Sequence, residues 1–394
     1  MNEAAAGLAD NRPDMNTDQA LPLLGGLAPR QFMKRHWQKK PLLIRGAIPA
    51  IIPPISRAGL FALAARDDVQ ARLVVRDGAD WRLEHGPFAR RALPALKRPG
   101  WTLLVQGVDR LDDAAHRLLE QFRFVPDARL DDLMISYASD GGGVGPHFDR
   151  YDVFLLQARG KRRWRIGHQR DLTLEPGRPL KILANFAVEQ EFVLDAGDML
   201  YLPPNWAHAG DAIGECITCS IGFRAPDMLE ISRELLMRLA DSEDGRNSSV
   251  YRDPMQPATD RPAAIPAGLA AFASSALKSA LDRPRQLDRA LGEVLSEPQS
   301  TVWFDVPTDT SALCGPLQLD RRTRMLYDAH HVFINGESLS ATGRDARLLR
   351  QLADVRGLSG AQVAGCSSVV RALLQNWREC GWIHARDTAA EATK

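Results

Sequence analysis

Between positions 69 and 224 the apolar residues recur in short runs, often with every second position polar, and Gly, Pro and Asp separate the runs. A period of two belongs to strands with one buried face, so the pattern predicts strands at 69–76, 101–108, 134–138, 153–157, 162–166, 191–193, 199–202 and 216–224. Ahead of them the spacing is helical: Phe32 and Trp37 lie in a run at 29–38 that Lys40-Pro41 stops, and a second short helix fits 57–66. Residues 109–122 are the one helical interruption of the strand region.

Past 225 the period changes. Residues 226–240 carry Met228, Leu229, Ile231, Leu235, Leu236 and Leu239 at helical spacing, followed by an irregular stretch with Pro254, Pro257, Pro262 and Pro266. Leu269, Phe272, Ala276, Leu277 and Ala280 mark another helix, and Leu287, Leu291, Val294 and Leu295 the next. Residues 325–327 and 332–334 look like strands, with Asn335-Gly336 as a turn signal after the second. Two closing helices carry Leu348, Leu349, Leu352 and Val355, ended by Gly357, and Val369, Val370, Leu373, Leu374 and Trp377, capped by Ser367 and closed by Gly381.

The expected fold is mainly β with α: a double-stranded β-helix with an N-terminal helical elaboration, a helical module and a C-terminal winged-helix-like unit. The expected boundaries are a polar mobile tail at 1–25, a β domain at 26–225, the helical module at 226–300 and the last unit at 301–394. Unpartnered apolar stripes on the helical module make it the expected dimer contact.

Charge narrows the partners. Fifty Lys and Arg stand against 49 Asp and Glu, so no overall field calls for nucleic acid or membrane. Arg321, Arg322 and Arg324 form the one local basic cluster near the end, as a solvated turn would. Glu3, Asp10, Asp14 and Asp18 break any signal-peptide pattern, and no stretch is apolar enough to span a bilayer. Five scattered cysteines suit a reducing compartment, so the expected location is cytoplasmic. Cys216 and Cys219 fall on opposite faces of a strand and read as small buried hydrophobes, and the sequon Asn247-Ser248-Ser249 carries no meaning without secretion.

The chemistry lies in Gly-Val-Gly-Pro-His147-Phe-Asp149. Read as an extended strand, His147 and Asp149 point the same way and can share a metal with His208, which follows the rigid break Pro203-Pro204. Two imidazoles and a carboxylate leave coordination positions open, the ligand set of non-haem Fe(II) oxygenases, although manganese and zinc fit the same donors. The glycines at 141–145 bring bare backbone to the site, and no Lys-Ser or helix start follows to make them a phosphate loop. Arg162 alternates with Trp164 and Ile166 on the apolar, inward face of its strand. A buried guanidinium needs an anion, either a ligand carboxylate or an internal Asp. Ser136 is the polar inward residue of its own strand, free to bond a ligand or backbone.

These motifs together resemble the JmjC branch of the cupin 2-oxoglutarate oxygenases, and more narrowly the bacterial ribosomal oxygenases that hydroxylate an arginine of a large-subunit ribosomal protein. The resemblance is carried by Asp131-Asp132-Leu133-Met134-Ile135-Ser136, the glycine run through Asp149-Arg150-Tyr151-Asp152-Val153-Phe154, Gly160-Lys161-Arg162-Arg163-Trp164-Arg165, and Gly197-Asp198-Met199-Leu200-Tyr201-Leu202-Pro203-Pro204. His36-Trp37-Gln38-Lys39-Lys40-Pro41, His85-Gly86-Pro87-Phe88 and Ser220 to Pro226 extend it, while Asn205-Trp206-Ala207 departs from the family's usual small residues. It implies that His147, Asp149 and His208 bind Fe(II), that Arg162 and Ser136 hold 2-oxoglutarate, and that dioxygen is consumed with release of succinate and carbon dioxide. It also implies a homodimer, a ribosomal protein as partner, and neither membrane nor direct nucleic-acid contact.

For a guanidinium substrate the site mouth should offer carboxylates and an aromatic face, and Asp140, Tyr151, Asp152 and Tyr137 are the candidates beside the ligand segment. Other JmjC activities, protein histidine hydroxylation or lysine demethylation, are the enzyme alternatives. A non-catalytic cupin with a nucleic-acid-binding C-terminal module is the alternative from another class.

Overall fold

Nine antiparallel strands pair into one sheet whose two faces differ chemically. The computed structural model describes residues 16–78, 80–241, 250–282, 284–307 and 315–386, in two compact units that divide between Ala225 and Pro226. The first unit holds β1 (Leu42–Ile44), β2 (Ala71–Asp77), β3 (Asp80–His85), β4 (Trp101–Val105), β5 (Leu130–Ala138), β6 (Val153–His168), β7 (Gln190–Leu194), β8 (Met199–Leu202) and β9 (Trp206–Phe223). Their order is β1-β8-β6-β9-β5-β4-β2-β3, with β7 paired to β6. Helices α1 (Pro29–Arg35), α2 (Arg57–Leu63) and α3 (Asp113–Glu120) belong to the same unit, α3 starting where Asp112 caps the Ala114 and Ala115 amides.

Alternation along the strands decides which face each side chain joins. Leu73, Val75, Leu103, Val105, Ile135, Tyr137, Phe154, Leu156, Cys219 and Ile221 form one buried core with Leu24, Phe32, Trp37, Leu60, Phe61 and Phe122 from the segments around the helices. On the other face Val153, Leu155, Trp164, Ile166, Leu194, Leu200 and Leu202 make a smaller apolar cluster. Ser136, Gln157, Arg162, His208 and Thr218 are buried polar residues of the strands. A large apolar core on one side of the sheet leaves the other side free for polar chemistry.

Several strands run longer than the alternation predicts. The expected strands at 153–157 and 162–166 are one 16-residue strand, β6, whose irregularities at Gln157/Arg159 and Arg159/Lys161 sit beside Gly160, at φ 68°. β9 begins at Trp206, so His208 is inside a strand near its start. β3 is an addition, with only Trp81 and Leu83 to mark it among charged neighbours. The mobile tail expected through residue 25 does not hold where it is described: Leu23 and Leu24 are buried in the core by a single 3-10 turn over Pro22–Leu24. Residues 1–15 and the sequon at 247–249 lie outside the described residues. Cys216 and Cys219 are buried free thiols in separate clusters.

The second unit contains α4 (Met228–Asp241), α5 (Ala267–Leu281) and α6 (Pro284–Ser296), then β10 (Leu317–Leu319), β11 (Met325–Tyr327), β12 (His331–Ile334) and β13 (Glu337–Ser340). α7 (Gly343–Val355), β14 (Gly357–Leu358), α8 (Gly360–Ala364), α9 (Ser368–Glu379) and β15 (Ile383–Ala385) complete it. Asn335 and Gly336, at φ 49° and 87°, turn β12 into β13 as their residue types predict. The helix α7 stops at Arg356 rather than Gly357; this arginine takes φ 57°, and its guanidinium donates to the carbonyls of Thr323 at 3.1 Å and Asp320 at 2.7 Å. Gly292 lets α6 lie on β12, because a Cβ there would sit 2.2 Å from the Phe333 ring. Nor is the basic cluster free: Arg322 pairs with Asp320 and Asp305, and Arg324 donates to Leu295 O.

Candidate metal centre

His147 and Asp149 sit on a short irregular segment, not on the extended strand that the spacing predicts. What aligns them is pairing with β9: His147 N–H donates to His208 O at 3.0 Å and His208 N–H to His147 O at 2.8 Å. Asn205, in the left-handed region at φ 64° after Pro203-Pro204, donates its N–H to Asp149 O at 2.7 Å. The backbone therefore fixes all three positions. One ligand atom from each of His147, Asp149 and His208 lies within 4.8 Å of the others, and this is the one such group among the described residues.

The donor atoms suit a metal. Nδ1 of His147 faces Gly145 O at 3.0 Å, and Nδ1 of His208 faces Trp206 O at 3.0 Å. A proton on Nδ1 satisfies each carbonyl and leaves Nε2 with its lone pair free. Burial, followed by the nearby His147, lowers the His208 pKa to about 4, against the opposing pull of Asp149, so the ring is neutral at physiological pH. Asp149 Oδ2 stands 3.6 Å from His208 Nε2. The glycine run permits this approach: a Cβ on Gly143 would lie 2.4 Å from Gly210 O, and one on Gly142 would lie 2.3 Å from Trp101 O.

Arg162 is 3% exposed. Its guanidinium donates to Ser136 Oγ at 3.3 Å, Thr218 Oγ1 at 3.2 Å and Gly210 O at 3.2 Å, and lies 5.0 Å from the Trp164 ring centroid. All of these partners are neutral. Among the described residues no carboxylate comes within ion-pair distance, and Arg162 Nε and Trp164 Nε1 are buried without any hydrogen-bond partner. A buried cation with orphaned donors fits an anionic ligand and removes the internal-Asp alternative. Trp164 also lies 5.8 Å from the His208 ring, so this anion site adjoins the metal donors.

The substrate candidates divide. Tyr151 is 41% exposed, and burial of its hydroxyl with the nearby Asp149 charge raises its pKa. Asp152 is a correction: it is fully buried, accepting from Tyr201 Oη and from Gln38 Nε2 at 3.0 Å. Tyr137 is another, 1% exposed on the apolar core face and donating to Glu215 at 3.0 Å. Strand alternation turns it away from Ser136. Asp140 accepts from Gly214 N–H at 2.8 Å, a turn clamp that involves none of the three metal donors.

Sequence reasoning missed Asp132, Met134 and Arg72. Arg72 Nη2 reaches Met134 Sδ at 3.7 Å and Gln106 Oε1 at 3.4 Å, and Gln106 Nε2 donates to Asp132 at 3.2 Å. Counting the alternation from Ser136 back past Met134 would have reached Asp132.

Burial, with the neighbouring charges of Asp109 and Asp131, raises the Asp132 pKa to about 7. Because that value exceeds the unfolded one, the protonated acid's stability is present below about pH 4 and is lost as pH rises through about 7. Asp132→Asn should therefore gain stability relative to wild type across that window, measured as the difference in Tm at each pH. A difference that stays constant from pH 4 to 8 contradicts this.

Residues 117–231 match the JmjC domain family and residues 276–384 the ROXA-like winged helix family. The chain is 36% identical over 277 residues to the ribosomal protein uL16 3-hydroxylase of Escherichia coli, covering 69% of each protein. It is 36% identical over 208 residues to a probable ribosomal oxygenase of Haemophilus influenzae, covering 51% of each. The crystal structure of Escherichia coli YcfD superposes with TM-score 0.79 at 30% identity, over 90% of this chain and 97% of that one. A structure of that ribosomal oxygenase with cobalt and 2-oxoglutarate gives TM-score 0.77 at 30% identity, over 90% and 97%.

Proposed function

This chain belongs to the JmjC-domain ribosomal oxygenases, and from that membership we propose that it hydroxylates an arginine side chain of the large-subunit ribosomal protein uL16. His147 Nε2, an Asp149 oxygen and His208 Nε2 hold Fe(II), and Arg162 with Ser136 holds the distal carboxylate of 2-oxoglutarate. The observation that carries the reading is Arg162, a buried guanidinium with only neutral partners and an orphaned Nε, next to a His-Asp-His donor set.

Bound together, iron, dioxygen and 2-oxoglutarate supply the oxidising chemistry that hydroxylates an unactivated carbon. The protein's share is placement. Trp164 stacks on Arg162 and keeps its charge out of water, while the Nδ1 bonds of both histidines fix the rings. On the substrate side, Tyr151 offers a guanidinium an exposed aromatic face, whereas Asp132 is buried with its two oxygens accepting from Gly107 N–H and Gln106 Nε2. Tyr151 alone of the four candidates is exposed beside the metal donors.

The helical module supports a homodimer: Met228, Leu229, Leu236 and Met237 on α4 and Leu269, Leu277 and Leu281 on α5 are exposed apolar residues. Among the described residues no helix is long and apolar enough to cross a membrane. A ribosomal substrate agrees with a cytoplasmic location, and the intramolecular pairing of Arg322 argues against a nucleic-acid role for the C-terminal unit.

Purified protein with Fe(II), 2-oxoglutarate and uL16 tests the reading. The expected result is succinate formed in step with one oxygen atom added to an arginine of uL16. Succinate formation that is indifferent to uL16, or an added oxygen on histidine, overturns it.

A further inference from the structure

β3 pairs with β2 and with no other strand among the described residues, so one of its edges is open. The register decides which backbone groups face outward. Gly86 N–H donates to Ala71 O at 2.9 Å, and stepping by two from that pair makes Leu73/Glu84 and Val75/Arg82 the hydrogen-bonded pairs. The alternate residues Trp81, Leu83 and His85 therefore turn their N–H and C=O groups away from β2. On the far side of β2 the same count holds, since Arg76 N–H donates to Gly100 O at 2.8 Å.

Residues directly opposite in an antiparallel pair share a face. Trp81, Leu83 and His85 stand opposite Arg76, Val74 and Arg72. That face leads to the candidate site: Arg72 reaches Met134 Sδ, and a Trp81 ring atom lies 3.3 Å from where a Gly145 Cβ would be, two residues before His147.

We propose that the open edge of β3 docks an extended segment of the protein substrate as an added strand. The inference rests on the reading that the substrate is a protein and says how its backbone is held. Three outward residues at alternate positions present their N–H and C=O groups to an extended main chain whatever its sequence, and the added strand's side chains on the Trp81 face point toward Tyr151 and the metal donors. A second copy of this chain is the poorer occupant. The edge is six residues long and carries the Arg82–Glu84 ion pair at 2.9 Å, and short charged edges resist self-pairing.

Leu83→Pro removes one outward N–H, a change that edge strands tolerate, and Leu83→Ala controls for the side chain. With uL16 as substrate, the proline variant should show a KM about tenfold above the alanine variant, the effect of about one hydrogen bond. Its kcat, its KM for 2-oxoglutarate and its oligomeric mass should match the alanine variant. Equal KM values for the two variants, or a loss explained by dissociation of a dimer, overturn the proposal. Amide exchange in the wild-type enzyme gives a second readout that does not need the variant to fold: uL16 should slow exchange at Trp81, Leu83 and His85 in alternation with Arg82 and Glu84. If wild type oxidises uL16 while these amides exchange as fast as before, only the docking edge falls. If wild type neither oxidises nor binds uL16, the proposed function falls and the docking edge with it.

Discussion

Asp149→Ala should reduce uL16-coupled turnover by at least about 10³-fold while leaving the fold intact. Its side chain is 23% exposed, so truncation opens no core cavity, and the bond that anchors the segment, Asn205 N–H to Asp149 O, uses the backbone. The loss should appear in metal affinity, because two imidazoles alone do not complete the donor set. Co(II) titration monitored by calorimetry, with the circular dichroism melt beside it, separates the two effects. An unchanged melt with weakened Co(II) binding is the expected pair. A variant that keeps both Co(II) affinity and turnover contradicts the assignment of Asp149.

Arg162→Met should act in opposite directions on stability and on binding. In the free protein the guanidinium is buried among neutral partners, so an apolar side chain of similar length should leave Tm unchanged or raise it. Binding of 2-oxoglutarate should weaken by about 2–5 kcal/mol, the effect of truncating one partner of a buried charged hydrogen-bonded pair. That corresponds to roughly 30-fold to 4,000-fold in Kd, measured by calorimetry with Co(II) in the metal site. A structural arginine would behave the other way, losing stability with little change in 2-oxoglutarate affinity.

Much of this site was legible because strand alternation is a strict rule. Counting by two from Trp164 and Ile166 put Arg162 on the inner face, and the structure buries it there beside Ser136. The same rule turned Tyr137 to the opposite face, into the apolar core, and its choice as a substrate residue came from nearness to the motif in sequence. Asp152 failed for a related reason: it follows the ligand segment closely, yet it serves the anchor made with Tyr201 and Gln38, which come from distant parts of the chain. Asp132 was passed over although alternation from Ser136 and Met134 reaches it, beside the place where β5 shifts register against β9 between Leu130 and Leu133. The spacing argument that paired His147 with Asp149 was only partly right. His147 and Asp149 are held by pairing with β9 and by the Asn205 turn, a tertiary arrangement in place of the expected strand.

The proposed activity is oxidation of a uL16 arginine at the His147, Asp149 and His208 site. The most direct measurement is mass spectrometry of uL16 isolated from wild-type cells, from cells lacking this gene, and from cells lacking it but supplied with the Asp149→Ala protein. One added oxygen atom is expected on a single uL16 arginine in wild-type cells and is absent from the other two. The same modification persisting without the gene, or a uL16 that is unmodified in all three, contradicts it.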